Sequence, residues 1–139
     1  MNGSTRTRRA PVVERRAIAP VEAKSLTLSK LPVPPAANNL FFNAQGGGRS
    51  RSARYRAWRA AAGWQARLQN PVRVRGPVAI SIVVEEGASR ADLDNLAKAP
   101  IDLLCDLQLI EGDHREVIRE VNLRWGGVEG MRIEVRPVR

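Results

Sequence analysis

Hydrophobic residues recur along the chain with two spacings, and these spacings divide it into strands and helices. Residues 25–31 place leucines at 26, 28 and 31 before the proline-rich LPVPP, which predicts a first strand. Aromatic and alanine residues at helical intervals predict a helix over about residues 52–69, with Tyr55, Trp58 and Trp64 all on its buried face. The nearly continuous apolar run 78–84 predicts a central strand covered on both faces.

The second half of the chain predicts one more helix and two strands. Five leucines between positions 93 and 107 recur at helical intervals, so a helix is expected to begin near Asp92. Pro100 lies inside it and predicts a kink or a broken first turn, because proline lacks a backbone donor and clashes one turn back. REVIREVNLRW and MRIEVRP predict two strands joined as a hairpin through Gly126, Gly127 and Gly130.

The predicted order is therefore β-α-β-α-β-β, with the glycine-rich segment before the first helix as a loop. This order indicates a small single α/β (α+β) domain with a mixed sheet of about four strands and two main helices. With 139 residues, 43% of them apolar, the chain can bury one core. Residues 1–22 mix Arg, Pro, Ser and Thr without apolar periodicity and predict a flexible basic arm, which leaves residues 23–139 as the folded domain.

The lengths of the apolar runs and the number of cysteines limit the possible classes of protein further. The chain has no run of 18 apolar residues, and no apolar signal segment follows the basic start, so neither a membrane span nor export is expected. A cytoplasmic, intracellular protein is the expectation. Cys105 is the only cysteine, which rules out an internal disulfide and a cysteine-based zinc site within one chain.

Charge is distributed very unevenly. The formal net charge is +9, and no acidic residue occurs between Glu22 and Glu85, a stretch that holds ten lysines and arginines. A solvated surface would explain any one of these cations, but an acid-free block of this size favours contact with nucleic acid. The residues that we expect to contact DNA are Asn38, Asn39, Arg49, Arg51, Arg54, Arg56 and Arg90. The two asparagines are equally explained by turn chemistry after Pro35.

All five aspartates fall between positions 92 and 113. Carboxylates weaken binding to a polyanion unless a cation such as Mg²⁺ lies between them and the phosphates. The alternative is structural, since Asp favours helix N-termini and Asp94 can pair with Lys98 one turn later. Asp113 can reach Asp92 only if the following strand or a partner chain closes the distance. His114, next to it, is expected to be an exposed turn residue rather than a general base.

These residues together resemble the RusA-like Holliday junction resolvases, the crossover junction endodeoxyribonucleases. DLDN at positions 92–95, with Lys98 four residues after its second aspartate, is similar to that family's D-L-D-N-x-x-K. Asp113 lies twenty-one residues after Asp92, as the family's acidic turn does, and LPVPPAANN resembles its amino-terminal L-P-x-P-P-x-N-N. The resemblance extends over residues 25–136 and departs from the family pattern at Ala91, Pro100 and Gly112 and at the acidic pair 85–86.

The resemblance implies a two-fold homodimer that resolves four-way DNA junctions by paired cuts with Mg²⁺, or with Mn²⁺ as a substitute. Asp92, Asp94 and Asp113 would hold the metal, and Lys98 would act at the phosphate. Association with nucleoid DNA in recombination and repair follows from that activity. Apolar residues outside the core are candidates for the dimer contact, among them Phe41, Phe42 and the helix around Pro100. Two alternatives remain open: a non-catalytic basic DNA-binding protein, and a metal-dependent nuclease acting on flap or duplex DNA.

Overall fold

A computed structural model describes residues 24–139, so the arm predicted over residues 1–22 lies outside the described residues. Two short 3-10 turns, Ala37–Asn39 and Leu93–Leu96, accompany the regular elements. The strands are β1 (Leu26–Leu31), β2 (Phe41–Asn43), β3 (Arg49–Arg51), β4 (Val78–Glu85), β5 (Ile118–Gly126) and β6 (Met131–Pro137). The helices are α1 (Ala53–Arg67) and α2 (Lys98–Asp106). The predicted mixed α/β architecture is thus confirmed.

The main sheet has four strands in the order β1-β6-β4-β5. Strand β4 is parallel to β5 and antiparallel to β6, and β1 is antiparallel to β6. Residues of β4 are buried on both faces, as its apolar run predicted. The strand therefore forms the interior of the sheet, and one hydrophobic cluster joins it to β1, β6 and both helices.

The prediction that β5 and β6 form a hairpin is wrong, because β4 lies between them. The segment that joins them passes over the end of β4 and is held there by its backbone. The Glu85 N–H donates to the Gly130 carbonyl at 2.8 Å, and the Glu86 N–H donates to the Gly126 carbonyl at 3.0 Å. The Glu85 carboxylate also accepts the Gly130 N–H at 2.7 Å. A fully buried strand such as β4 needs two neighbours, and β5 and β6 provide one on each side.

Strands β2 and β3 form a separate two-stranded sheet in the segment predicted to be a loop. They pair antiparallel from Phe41 opposite Arg51 to Asn43 opposite Arg49, and the turn contains three glycines with positive φ. The Arg49 guanidinium lies 4.6 Å from the centre of the Phe41 ring. Strands of three residues are too short to show a hydrophobic period, which is why the pattern did not reveal them.

Helix α1 begins where predicted, with Ser52 as N-cap accepting the Tyr55 N–H at 3.1 Å. Tyr55 and Trp58 are buried, and the Trp58 Nε1–H donates to the Pro32 carbonyl at 2.9 Å. The expectation that Trp64 joins the same buried face is wrong, because its side chain is 59% exposed. The buried stripe of the helix is therefore narrower than the apolar residues in its sequence suggested.

The second predicted helix starts with a broken turn, as Pro100 indicated. Asp92 has extended backbone angles (φ −65°, ψ 144°), Leu93–Leu96 is a 3-10 turn, and α2 begins only at Lys98. Pro100 is then the third residue of α2, where a backbone N–H has no partner within the helix. Pro100 itself is buried within the chain, so any dimer contact at this helix would have to use its more exposed neighbours. Within residues 24–139, no helix is long and apolar enough to cross a membrane.

Candidate functional site

The two aspartates of the DLDN motif stand on a short irregular segment after the central strand. Asp92 precedes the 3-10 turn and Asp94 lies within it, and both side chains are exposed. The Asn95 N–H donates to the Asp92 carbonyl at 3.0 Å, which fixes the turn. Neither aspartate sits on the α-helix that the sequence predicted at this place, because regular helix begins only after Ala97.

A hollow of about 680 Å³ lies beside Asp92. Its other polar walls come from Asn38 and Asn39 of the first 3-10 turn, Arg54 of α1 and Arg90 of the segment after β4. Pro34 and Pro35, both buried, shape the wall that carries the asparagines. Four residues predicted to contact DNA therefore meet one predicted metal ligand in a single concave surface.

A second hollow of about 280 Å³ contains Asp113. Among the described residues, four more acidic or basic side chains line it, and three of these belong to the helices: Asp102 and Asp106 of α2 and Arg59 of α1. Arg51 of β3 also lines it, so the two-stranded sheet forms one side. Asp92 and Asp113 thus line different hollows, and Asp94 and Lys98 line neither of them.

The floor of the second hollow is an aromatic and arginine cluster. Arg59 forms an ion pair with Asp106, and its guanidinium lies 5.5 Å from the centre of the Tyr55 ring. Arg51 lies 6.0 Å from the same ring on the side of β3. Phe41 meets Tyr55 edge to face at 5.7 Å, and burial raises the pKa of Tyr55. In the sequence, Arg59 belongs to the basic block, and its i, i+4 spacing from Tyr55 is the signal that indicates this contact.

Lys98 makes a different ion pair from the one that the structural alternative assumed. Its Nζ lies 3.3 Å from Asp102 Oδ1, one helical turn later, so Asp102 takes the place predicted for Asp94. The change follows from the break at Ala97, since Asp94 and Lys98 do not belong to one continuous α-helix. Asp92, Asp94 and Asp113 make no ion pair with any residue in the described part of the chain.

Carboxylates are the ligand type that Mg²⁺ prefers, so the donor chemistry of the aspartates fits this ion. Among residues 24–139, however, no three His, Cys, Asp or Glu side chains are grouped closely enough to hold a metal. The nearby Cys105 is half-buried, and burial raises the pKa of its thiol, helped by the charges of Asp113, Asp102 and Asp106. The raised pKa keeps this thiol protonated and unreactive near neutral pH.

His114 lies beside Asp113 but contacts Glu116 instead. Its Nδ1 lies 3.0 Å from Glu116 Oε1, and both side chains are more than half exposed. The contact with His114, with further help from a backbone hydrogen bond and Arg115, holds the pKa of Glu116 below its ordinary value. His114 is therefore an exposed turn residue, as expected from the sequence.

The remaining predicted DNA contacts lie on the two-stranded sheet and on the start of α1. Arg49, Arg51 and Arg56 are all exposed. The Arg56 guanidinium donates to the Arg51 carbonyl at 2.6 Å, which fixes the helix start against β3. Of the predicted DNA contacts in this region, Arg51 lines the second hollow and Arg54 lines the first.

One family model matches the chain, that described as Endodeoxyribonuclease RusA, and the match extends over residues 32–136. It contains every residue assigned above to the two hollows. No curated protein sequence matches the chain significantly.

Proposed function

Because the chain belongs to the RusA endodeoxyribonuclease family, we propose that it resolves four-way DNA junctions by paired, Mg²⁺-dependent cuts. The observation that carries this proposal is the first hollow, where exposed Asp92 lies among Asn38, Asn39, Arg54 and Arg90. A non-catalytic phosphate-binding surface gains nothing from an unpaired carboxylate among its cations. A carboxylate that shares a cation with a phosphate is favourable there.

Asp92, Asp94 and Asp113 are the residues that would hold the metal. Bound Mg²⁺ supplies charge neutralisation at the phosphate and activation of water. The chain's own cations position the DNA backbone, with Arg54 and Arg90 next to Asp92. Lys98, exposed and one turn from Asp102, supplies a positive charge for the developing phosphorane. Since Asp113 lines the second hollow, a movement or a second copy of the chain must complete the set.

Paired cuts require two active sites, and one chain of this size supplies one set of motif residues. We therefore include a two-fold homodimer in the proposal, because a two-fold axis places two equivalent sites on the two halves of a junction. Light scattering at micromolar protein concentration should give the mass of a dimer. The proposed enzyme would act in the cytoplasm, on nucleoid DNA during recombination and repair.

The test removes one carboxylate charge at a time. Asp92→Asn, Asp94→Asn and Asp113→Asn should each keep junction binding and lose cleavage, since each weakens a metal site while reducing repulsion of phosphates. Glu129→Gln, an exposed charge removal on the segment between β5 and β6, is the matched control and should cleave normally. Normal turnover by any two of the aspartate variants would disprove the metal set.

Substrate class is decided by comparing junction, flap and linear duplex DNA with and without Mg²⁺. Preference for the junction supports resolution, and equal cleavage of flap or duplex indicates a more general nuclease. Binding without Mg²⁺-dependent cleavage of any of the three indicates a non-catalytic DNA-binding protein.

A further inference from the structure

Strand β5 is an open edge of the main sheet. It has nine residues, none of them proline, and β4 is its one neighbour within the sheet. The opposite edge, β1, is blocked: the Gln69 side-chain amide binds both the N–H and the carbonyl of Ser29, at 2.9 and 2.8 Å. Lys30, with φ of 56°, further interrupts β1. Proteins commonly protect edge strands in such ways. Strand β5 lacks both devices; it has a register irregularity near its start, between Ile118 and Glu120, and is regular from Glu120 to Gly126.

The apolar face of β5 is incompletely covered. Val121, Leu123 and Trp125 lie opposite Ile80, Ile82 and Val84 of β4, which are buried in the core. Even so, Val121 is 42% exposed, and Leu123 and Trp125 are only half-buried. The layer that covers β4 therefore ends before it reaches the edge strand, and a row of apolar side chains continues the core outward into solvent.

The sequence of β5 is complementary to itself in one antiparallel register. With Asn122 opposite Asn122 of a second copy, Glu120 stands opposite Arg124, and Val121 stands opposite Leu123. Glu120, Asn122 and Arg124 are all exposed on the polar face, so their side chains are available for such pairs. Each opposite-charge pair occurs twice because the arrangement is symmetric. Registers displaced by one residue would place Leu123 opposite Glu120 or Val121 opposite Arg124, whereas the proposed register has such a pair only near its ends, with Arg119 opposite Trp125.

We propose that β5 is the surface on which a second copy of this chain docks, by antiparallel β5–β5 pairing about Asn122. The two four-stranded sheets then form one continuous sheet of eight strands, and the open edge of each copy is closed by the other. This inference rests on the two-fold dimer of the proposed function and specifies its contact. It differs from the sequence-based expectation, which named Phe41, Phe42 and the helix around Pro100. Pro100 is buried and Phe41 packs on Tyr55, whereas Phe42 is 51% exposed and remains the alternative contact.

Cysteine cross-linking tests the register directly. In a Cys105→Ala background, Asn122→Cys places two thiols opposite each other with Cβ atoms about 5 Å apart, within disulfide reach after small adjustment. Mild oxidation should convert most of the protein to a covalent dimer. Thr27→Cys in the same background is the control, because it is exposed on β1 at the far edge of the same sheet. It should remain largely monomeric on a denaturing gel.

Charge reversal tests the pairing energetics. Arg124→Glu and Glu120→Arg should each raise the dimer dissociation constant at least about tenfold, because two attractive pairs become repulsive. The double variant Glu120→Arg/Arg124→Glu should restore it to within about threefold, which loss of fold alone would not allow. Glu120 also contacts Arg136 of its own chain at 3.4 Å, so circular dichroism of each variant verifies the fold.

Two outcomes separate this inference from the function on which it rests. A protein that is dimeric by light scattering, but in which Asn122→Cys does not cross-link, overturns β5 docking and leaves junction cleavage standing. A protein that cross-links efficiently, with charge-swap rescue, but cleaves no junction supports β5 docking and overturns the proposed function. A protein that stays monomeric at every concentration overturns β5 docking together with the two-fold dimer of the proposed function.

Discussion

Single acidic residues in this chain fall into two groups with different roles. Glu85 accepts a backbone N–H from Gly130, and Asp106 pairs with Arg59 of the other helix, so both hold the fold together. Asp92, Asp94 and Asp113 make no ion pair within the described residues, and Asp92 and Asp113 each open into a hollow. Glu86, Glu111 and Glu129 also make no ion pair within the described residues, so it is the position of Asp92 and Asp113 on the hollows that distinguishes them.

Substitution of Lys98 tests whether its charge acts in catalysis or only in a surface ion pair. Lys98→Ala should lower the cleavage rate about 10²-fold or more if the ammonium stabilises charge in the transition state. Asp102→Asn is the matched control, because it removes the same ion pair and leaves the ammonium in place. Single-turnover junction cleavage is the measurement. Equal rates for Lys98→Ala and the unaltered protein would assign Lys98 to the surface pair alone.

Among the glycines of the described residues, Gly130 is the one at which an added methyl group should destabilise the fold most. Its φ is +68°, and a Cβ there would clash with the Leu31 carbonyl oxygen. Gly130→Ala should therefore reduce the free energy of unfolding by about 1–3 kcal/mol. Gly127→Ala, three residues earlier in the same segment, has no heavy atom within 4 Å of its Cβ position and should be close to neutral. Urea denaturation measures the stability of both variants, and equal stability would refute the steric argument.

At the scale of elements, the segment 93–106 shows how one proline divides a continuous hydrophobic pattern. The leucines keep a helical spacing across the whole segment, but regular helix begins at Lys98. Pro100 can occupy only the first turn of a helix without the loss of a backbone hydrogen bond. The motif aspartates are consequently presented on a 3-10 turn ahead of the helix.

Replacement of Pro100 should have little effect on stability. As the third residue of α2 it needs no backbone donor, so Pro100→Ala should change the free energy of unfolding by no more than about 1 kcal/mol. Leu103→Pro, at a buried position deeper in the same helix, should cost about 3 kcal/mol or more. Thermal or urea unfolding followed by circular dichroism measures both. A large loss from Pro100→Ala would show that its ring packing, rather than its backbone, is what the fold requires.

At the scale of the whole molecule, the separation of basic and acidic residues along the chain is more informative about DNA binding than the net charge. The acid-free block supplies Arg54 to the first hollow and Arg51 to the second, while the aspartates come from the following segment. Folding therefore places carboxylates from one half of the chain against arginines from the other. This arrangement directs a polyanion to the hollows and leaves the contact dependent on salt.

If Arg54 contacts a DNA phosphate, its removal should change the salt dependence of junction binding by the amount expected for one contact. Arg54→Ala should weaken junction binding and reduce the slope of log K against log salt by about 0.9, the value for one lost phosphate contact on duplex DNA. Arg67→Ala, the same charge removal at the far end of α1, should leave the slope unchanged. Binding isotherms between low and moderate salt measure both slopes. An equal reduction by the two variants would indicate a diffuse electrostatic effect instead of a defined contact.

The sequence by itself determined the features that depend on neighbouring residues. The spacing around Tyr55 and Trp58 predicted α1, the run before Glu85 predicted β4, and Pro100 predicted the broken turn. Helix and strand periods are local properties of the backbone, so they can be recognised without knowing what each element packs against. The spaced motif around Asp92 likewise resembled the family whose model matches residues 32–136.

Only the tertiary structure decided which elements meet. Three features depend on contacts between distant or differently folded segments. They are the position of β4 between β5 and β6, the exposure of Trp64, and the pairing of Lys98 with Asp102 instead of Asp94. The hydrophobic period of a strand gives its two faces but not its neighbours, because pairing is chosen by competition among all strands for backbone hydrogen bonds and burial. For the same reason, only the packed fold assigns Asp92 and Asp113 to separate hollows.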